Sequence, residues 1–315
     1  MRRRGGGEEV RVQSRELRSA GFAALLAVGL ALAVALWPSS ARGAAYPLSD
    51  DDVGVVGAVH TIRTAYEDTL ASIAERYGLG YLELVRANPG VDPWLPGEGT
   101  PLVLPTAYVL PQAERQGIVI NVAEFRLYYF PPDGGRVVTY PVGLGREDFR
   151  TPLGRSRVTM VIENPSWTPT ETSRREHASR GDPLPAVVQP GPDNPLGSMA
   201  MQLDIPGYYI HGTNQPFGVG QSVSQGCVRL YEPHIRTLAE IAPRGTPVQI
   251  VDEPYKLGWR HGALYLEVHT DTFARRDDAE LKEKIAEEAK TRAAIVDWAR
   301  VEALLAAPSG VPTRI

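Results

Sequence analysis

Two short stretches of the 315-residue chain, His211-Gly212-Thr213 and Ser224-Gln225-Gly226-Cys227-Val228-Arg229, determine how the rest of the sequence is interpreted. Cys227 is the only cysteine in the sequence, so no disulfide can form within the chain. It follows His211 by sixteen residues, and a thiol with a nearby imidazole is the minimum set of groups for nucleophilic acyl transfer. A free cysteine is also commonly a small buried apolar residue, but the Gly-Cys-x-Arg setting favours the catalytic interpretation.

The chemistry expected of Cys227 needs a base, a group that orients the base, and donors for an oxyanion. A free thiol has a pKa of about 8.5, so His211 would take its proton and form a thiolate–imidazolium pair. The orienting acceptor is predicted to be a backbone carbonyl, because no Asp or Glu lies next to His211 in the sequence. Gly226 permits a close approach of the backbone, so the N–H groups of Gly226 and Cys227 are the predicted oxyanion donors.

Arg229 lies two residues after the thiol, and its planar guanidinium is suited to pairing with a carboxylate. That carboxylate belongs either to a substrate or to a structural ion pair, and the two interpretations can hold together. The remaining histidines show no metal-ligand spacing, so the sequence predicts neither a metal nor a cofactor; they are His60, His177, His234, His261 and His269.

The overall composition is that of a globular protein with many turns. The chain has 33 basic and 37 acidic residues and a net charge of -4, which argues against broad nucleic-acid binding. Its 27 prolines and 31 glycines favour short strands and ordered loops, so the sequence predicts a mainly β fold.

The N-terminus has the pattern of an export signal. Six arginines within residues 2–18 precede an uncharged run over residues 20–37. As a helix this run is roughly 27 Å long, slightly short of a bilayer span, and small residues follow it. Basic residues before the run predict that the rest of the chain is exported, to the periplasm. Residues 1–45 are therefore interpreted as a cleaved signal peptide or a retained membrane anchor, in preference to a buried core helix.

Residues 58–106 are predicted to form a small βααβ module. Asp68 or Thr69 is the predicted N-cap of the first helix and Gly78 lies just past its end, while Asn88-Pro89-Gly90 stops the second helix. The order of elements resembles the LysM module, and this resemblance implies binding to polymers that contain N-acetylglucosamine. A small helical cap without affinity for glycans is the alternative.

Residues 116–252 are predicted to form the main domain. Residues 118–130 alternate as one strand, a turn at residues 131–135 reverses the chain, and residues 136–140 return as the partner strand. Residues 164–197 form a long proline-rich loop without a clear period. We interpret this segment as a flap that covers a site, because long loops inside compact domains are usually functional or disordered.

Residues 253–315 are predicted to form a C-terminal extension. Their apolar residues stay near one stripe between Leu281 and Leu304, which predicts one long helix over residues 277–307. Asp277 and Glu280 have the spacing of a capping box at its start. Mixed charges on the rest of its surface favour a solvated helix that docks by one face.

The two motifs together resemble those of the YkuD-type L,D-transpeptidases, whose signature is His-Gly-Thr followed by Ser-x-Gly-Cys-x-Arg. Further matches to the ErfK/YbiS/YcfS/YnhG subgroup lie in residues 94–100, 174–197 and 264–269. The resemblance implies an exported enzyme without a cofactor and a β-sandwich or barrel-like catalytic domain. It also implies that Cys227 is the nucleophile and His211 the base, that the Gly212 carbonyl orients this base, and that the substrate is bordered by Arg229, Ser224, Tyr209 and Thr213. Many members have histidine where Gln225 stands, so any auxiliary role of that histidine is absent here.

The resemblance implies a reaction on peptidoglycan as well. Cys227 attacks the meso-diaminopimelate carbonyl of a tetrapeptide stem and expels the terminal D-Ala, and an amine then attacks the thioester. The amine of a second stem gives a 3→3 cross-link, whereas a lysine of an outer-membrane lipoprotein tethers that lipoprotein to the wall. Carbapenems would acylate the same thiol. The alternatives are water as the acceptor, as in an L,D-carboxypeptidase or an amidase, and a catalytically silent peptidoglycan-binding protein.

Overall fold

The computed structural model of the chain describes residues 43–48, 54–270 and 277–315. Strands dominate these ranges, and the prediction of a mainly β fold is confirmed. The predicted export segment, residues 1–45, lies almost wholly outside the described residues. In the described ranges, no helix is both long enough and apolar enough to cross a membrane.

The described chain alternates short strands with six α-helices. The strands are β1 (Ala44–Pro47), β2 (Val55–Gly57), β3 (His60–Arg63), β4 (Pro101–Leu104), β5 (Ala107–Val109), β6 (Gly117–Asn121), β7 (Arg126–Phe130), β8 (Arg136–Pro141), β9 (Leu144–Gly145), β10 (Gly154–Glu163), β11 (Met199–Leu203), β12 (Tyr209–His211), β13 (Ser222–Ser224), β14 (Val228–Arg229), β15 (Pro247–Val251), β16 (Tyr255–Arg260), β17 (Ala263–Val268) and β18 (Thr313–Arg314). The helices are α1 (Leu70–Tyr77), α2 (Tyr81–Ala87), α3 (Glu171–Ser179), α4 (Glu232–Ile241), α5 (Asp278–Thr291) and α6 (Trp298–Ala306).

The largest sheet has nine strands in the order β1-β8-β7-β6-β15-β10-β11-β12-β14. The β6–β15 and β12–β14 pairs are parallel, and the other neighbours are antiparallel. Every residue of β6 and β7 is buried, because both faces of the sheet are covered. One face shares a core with Ile235 and Leu238 of α4, and the other packs Val119 and Tyr128 against Tyr108. A sheet covered on both faces requires nearly continuous apolar strands, as these are.

One predicted strand is in fact a hairpin. Residues 118–130 are predicted as a single strand, and this prediction is wrong, because the chain reverses between β6 and β7 and the two strands pair. Phe125 has a φ of 57°, and the Asn121 side chain accepts hydrogen bonds from the N–H groups of Ala123 and Glu253. Local side-chain bonds of this kind compete with a continuing strand. The predicted reversal after Phe130 is confirmed, since β7 and β8 are antiparallel partners.

The predicted βααβ order of the module is present. β3 pairs with β4, and α1 and α2 lie between them in the chain. Thr69 is the N-cap of α1, and Gly78 follows the end of this helix with a φ of 64°. The buried Asn88 side chain ties α2 to β4, because its oxygen accepts from the Val103 N–H at 2.7 Å and its amide donates to the Val103 carbonyl at 2.8 Å.

The module packs directly on the loop between the two sequence motifs. The Tyr81 N–H donates to the Val219 carbonyl at 3.2 Å. Gly80 and Gly220 meet through their backbones: Gly220 has a φ of 82°, and a Cβ at this position would lie 2.5 Å from the Gly80 Cα. Only glycine fits this contact, so the two backbones can approach more closely than any side chain would allow.

Two further contacts fix the same interface. Glu83 of α2 accepts a hydrogen bond from the buried Arg126 of β7 at 2.6 Å, and the Arg126 guanidinium lies 4.0 Å from the centre of the Tyr108 ring. The Tyr231 hydroxyl, just before α4, donates to the Leu79 carbonyl at 3.0 Å. The module and the main sheet therefore share one closely packed interface.

The C-terminal extension packs on a second, three-stranded sheet in the order β16-β17-β18. Leu281 and Ile285 of α5 and Val301 of α6 share a core with Leu266 of β17. This core is separate from that of the main sheet, so the extension stabilises its own sheet.

The prediction of one long helix over residues 277–307 is wrong, because the chain forms α5 and α6 with a break between them. Asp277 is the N-cap of α5, as predicted. After α5, Ala293 adopts a φ of 51°, which a continuing helix does not allow. The Asp297 carboxylate then accepts from the Arg300 N–H at 3.0 Å and begins a new helix.

Candidate active site

Strands β12 and β14 bring the two sequence motifs together. They pair in parallel, with Ile210 opposite Val228 and His211 opposite Arg229. Side chains alternate along a strand, and both Ile210 and Val228 belong to the buried core. His211 and Arg229, together with Cys227 directly before β14, therefore share the opposite face of the sheet.

His211 is buried, and one backbone contact orients its ring. Its Nδ1 lies 2.6 Å from the Gly212 carbonyl oxygen, which matches the acceptor expected from the sequence. Because a carbonyl can only accept, Nδ1 carries the proton and Nε2 is left as an acceptor, as a general base requires. Burial and the charge of Arg229 lower the pKa of His211 to about 3, against the opposing effect of the Gly212 carbonyl.

Cys227 is partly exposed, which argues against the alternative of a sealed apolar cysteine. Its thiol donates to the Gly207 carbonyl across 3.6 Å. Burial raises the pKa of the Cys227 thiol, and the Tyr209 backbone and the Arg229 charge oppose this shift. Both shifts favour the neutral thiol and the neutral imidazole, and so oppose the thiolate–imidazolium pair expected from the sequence.

Ser224 and Gly226 organise the loop that carries the thiol. Ser224 is buried, and its Oγ donates to the Cys227 carbonyl at 2.6 Å and accepts from the Gly226 N–H at 3.1 Å. The Gly226 N–H, expected from the sequence to donate to an oxyanion, is thus engaged by Ser224, and Ser224 holds the loop. Thr151, which the sequence analysis did not identify, donates to the Gly226 carbonyl at 2.9 Å. No local motif marks Thr151, since 75 positions separate it from Gly226.

Glu232, at the start of α4, holds the turn that follows His211. Its carboxylate accepts from the Thr213 N–H at 2.8 Å, from the Ser198 N–H at 3.0 Å and from the Ser198 hydroxyl at 2.6 Å. Gly212 packs against the same carboxylate, where any Cβ would collide with Oε1. Thr213, expected to border the substrate, is buried, and its hydroxyl accepts from the Gln215 N–H at 3.0 Å. The sequence analysis missed Glu232, because an acidic residue in a first helical turn is common without any special role.

Arg229 is a half-buried cation beside the thiol and the imidazole. Its Nε is buried without a hydrogen-bond partner, and no carboxylate of the described residues acts on its guanidinium. The structural ion pair considered from the sequence is therefore not found in this part of the chain. A cation without a counter-ion in such a place is suited to an anionic group of a ligand. Tyr209 is partly exposed on the same face, at the position expected to border the substrate.

The segment interpreted as a flap, residues 164–197, is more regular than predicted. It contains α3, so its description as a loop without regular structure is wrong in part. The fully buried Asn194 closes the rest of the segment, since its amide donates to the Pro165 carbonyl at 2.8 Å and its oxygen accepts from the Leu196 N–H at 2.9 Å. The segment contacts the loop that carries the thiol, residues 224–227, because the Thr170 hydroxyl donates to Gln225 Oε1.

A second cluster of titratable groups lies away from the two motifs. The ligand atoms of Glu124, Glu267 and His269 are buried and lie within 4.8 Å of one another. The Lys256 Nζ lies 2.7 Å from Glu124 and 2.9 Å from Glu267. The single ammonium bridges both carboxylates, and His269 Nε2 lies 2.7 Å from Glu267, so the cluster is a buried ion-pair network.

Comparison with known proteins places this site in a family. The YkuD family, described as the L,D-transpeptidase catalytic domain, matches residues 115–250. The chain is 42% identical over 282 residues to the Probable L,D-transpeptidase ErfK/SrfK of Escherichia coli strain K12, and the match covers 86% of this chain and 90% of that protein. It is 43% identical over 243 residues to the Probable L,D-transpeptidase YbiS of the same strain, with 76% and 79% covered. This chain therefore belongs to the YkuD-type L,D-transpeptidases, in the subgroup that contains ErfK and YbiS.

Proposed function

We propose that the chain is an L,D-transpeptidase of peptidoglycan that uses Cys227 as the nucleophile and His211 as the base. The observation that supports this most strongly is the shared face of the β12–β14 pair. There a partly exposed thiol accompanies a histidine whose ring is oriented by the Gly212 carbonyl and whose Nε2 can accept a proton.

In the first half-reaction, the sulfur attacks the carbonyl carbon of meso-diaminopimelate in a tetrapeptide stem. The thiol proton passes to His211 Nε2 as the S–C bond forms, because both groups are neutral at rest. The Cys227 N–H is the proposed donor to the oxyanion, since the Gly226 N–H is bonded to Ser224. When the C–N bond breaks, D-Ala leaves with the proton that His211 returns, and a thioester remains.

In the second half-reaction, an amine attacks the thioester carbonyl and loses a proton to His211. The S–C bond breaks, the sulfur recovers the proton, and an amide joins the two chains. The side-chain amine of a second stem would give a 3→3 cross-link, and a lipoprotein lysine would react by the same steps. Arg229 is proposed to bind a carboxylate of the stem, because its charge lies beside the thiol without a carboxylate partner in the described chain.

The test is to incubate the purified protein with a disaccharide-tetrapeptide, with and without a lysine-ended peptide, and to identify the products by mass spectrometry. We expect loss of D-Ala and formation of a stem dimer, and the lysine arm shows whether a lipoprotein-like amine is also accepted. Cys227→Ala should form none of these products and should gain no mass from a carbapenem. Product formation by Cys227→Ala would overturn the proposed chemistry, and absence of any adduct on the wild type would favour a silent binding protein.

We also propose that the module over residues 58–106 binds the glycan strands of the wall and that the protein works in the periplasm. Tyr66 and Trp94 expose large parts of their rings on the module, and exposed aromatic side chains commonly mark binding surfaces. Sedimentation with insoluble peptidoglycan should be weaker for Tyr66→Ala or Trp94→Ala than for the wild type. Equal binding by both variants would favour the alternative of a helical cap without glycan affinity.

A further inference from the structure

We propose that Gln225, Thr170 and Ser173 fasten α3 to the loop of Cys227, and that this attachment sets how the acyl-enzyme divides between an amine and water. The inference rests on the proposed function, because it concerns the fate of the thioester on Cys227. It assigns Gln225 a positioning role that acts through α3.

Three polar side chains meet at this attachment. The Thr170 hydroxyl donates to Gln225 Oε1 at 2.8 Å, and the Ser173 hydroxyl donates to the same oxygen at 3.1 Å. Thr170 is also the N-cap of α3, and it accepts from the Ser173 N–H at 3.0 Å. Both hydroxyls are therefore fixed by the start of the helix, and both acceptor sites of the Gln225 oxygen are used.

Gln225 lies two residues before the nucleophile, on a loop that has little freedom. Ser224 and Gly226, on either side of it, are held by the hydrogen bonds that organise the loop of the thiol. The hydrogen bonds of Ser224 and Gly226 therefore fix the Gln225 backbone in the loop of Cys227, residues 224–227, which we also call the nucleophile loop. The Gln225 side chain links this loop to α3.

A second contact joins the same two parts of the protein. Glu176 of α3 forms an ion pair with Arg146, and the Arg146 N–H donates to the Ser224 carbonyl at 3.0 Å. Both side chains of this ion pair are about one-third exposed, which weakens it, although two Arg146 nitrogens donate to the two Glu176 oxygens. The hydrogen bonds at Gln225 and this ion pair together attach α3 to the loop of Cys227.

Release of this attachment need not unfold the flap. Asn194 closes the remainder of residues 164–197 through bonds that do not involve Gln225. The Trp167 N–H also donates to the Val188 carbonyl at 2.9 Å and joins the two arms of the segment. Loss of the Gln225 bonds is therefore expected to loosen α3 over the nucleophile loop while the base of the flap stays in place.

The chemical consequence concerns the second half-reaction. Attack of an amine on the thioester breaks the S–C bond and gives an amide and the free thiol. Attack of water breaks the same bond and gives a carboxylic acid and the free thiol. Closure of an active site suppresses the reaction with water, so a fixed α3 favours the amine and a loosened α3 favours hydrolysis.

The experiment measures the ratio of hydrolysed to cross-linked product from the disaccharide-tetrapeptide in one reaction. This ratio is independent of the acylation rate, because both products arise from the same acyl-enzyme. Gln225→Met keeps the length of the side chain and removes both its acceptor and its amide donor, which interacts with Glu176 of the same helix. We expect the ratio to rise about tenfold, since each neutral hydrogen bond shifts an equilibrium by roughly a factor of 2 to 12.

Ser173→Ala removes one donor to Gln225 and the 2.9 Å contact between the Ser173 and Thr170 hydroxyls, but it keeps the N-cap bond from the Ser173 N–H. It should raise the ratio in the same direction and by less. The double variant should match Gln225→Met alone, because the two side chains act through one contact. Thr170→Ser keeps the hydroxyl and the N-cap, and its ratio should equal that of the wild type.

A wild-type ratio in both Gln225→Met and Ser173→Ala would overturn the inference, whatever their melting temperatures. In that case the contact is structural, and the proposed function would still stand on the products of the wild type. If the wild type forms neither product, the proposed function itself fails. The two failures are therefore distinguishable.

Discussion

Replacing Glu232 by Gln tests whether one carboxylate holds the turn that follows His211, the proposed base. The two carboxylate oxygens accept three hydrogen bonds, one from Thr213 and two from Ser198. An amide of the same shape keeps one oxygen and turns an NH2 group toward donors on the other side. Hydrogen bonds to charged groups contribute roughly 1.5–3 kcal/mol each, so we expect the free energy of unfolding to fall by about 2–4 kcal/mol.

The same change should slow acylation. The Gly212 carbonyl that orients His211 lies in the turn held by Glu232, and a catalytic group displaced by about 1 Å can lose a factor of roughly 100 in rate. We therefore expect the rate of acylation by a carbapenem to fall by about 10- to 100-fold.

Urea unfolding measures the first effect, and the rate of mass gain with a carbapenem measures the second. Glu240→Gln, on the exposed side of the same helix, is the matched control and should change the free energy of unfolding by less than about 0.5 kcal/mol. If Glu232→Gln unfolds at the wild-type urea concentration and reacts at the wild-type rate, the carboxylate does not hold the turn.

Three other expectations follow from the electrostatics and the packing. The pKa of His211 is about 3, and burial raises the pKa of Cys227. The rate of acylation, measured between about pH 5 and pH 10, should therefore show no inflection near pH 6.5 and should still increase above about pH 8.5. An inflection near pH 6.5 would instead support a thiolate–imidazolium pair in the resting enzyme. Lys256→Met leaves two buried carboxylates without their cation and should cost about 3–5 kcal/mol in urea unfolding, and a loss below about 1 kcal/mol would contradict the buried network. Gly220→Ala should lower both stability and acylation, whereas Gly134→Ala, which has a positive φ but open surroundings, should cost about 1 kcal/mol and leave acylation unchanged.

The proposed catalytic pair, Cys227 and His211, could be picked out from the sequence because its signals are local. The single thiol, the glycine before it and the His-Gly-Thr turn can each be identified from a few consecutive residues. The N-cap at Thr69 and the helix end at Gly78 could be predicted for the same reason, since caps depend on residues within one turn. Thr151 and Glu232 lie far from their partners in sequence or sit where acidic residues are common, so no short pattern reveals them.

The two errors in element length have one physical origin. In residues 118–130 the alternation of apolar side chains continues through the turn, so a hairpin resembles one strand. In residues 277–307 the apolar stripe keeps its register across the break between the helices. Periodicity reports which side chains are buried, and it does not report whether the backbone between them stays regular.

The contact between Gly80 and Gly220 makes the functional unit larger than the family domain matched at residues 115–250. A fragment that begins at residue 115 would leave the Val219 carbonyl without the Tyr81 N–H and the buried Arg126 without the Glu83 carboxylate. The segment between the histidine and the cysteine would lose the surface on which it rests. Exchanging residues 58–106 for an unrelated module would therefore disturb the part of the chain that joins the two motifs.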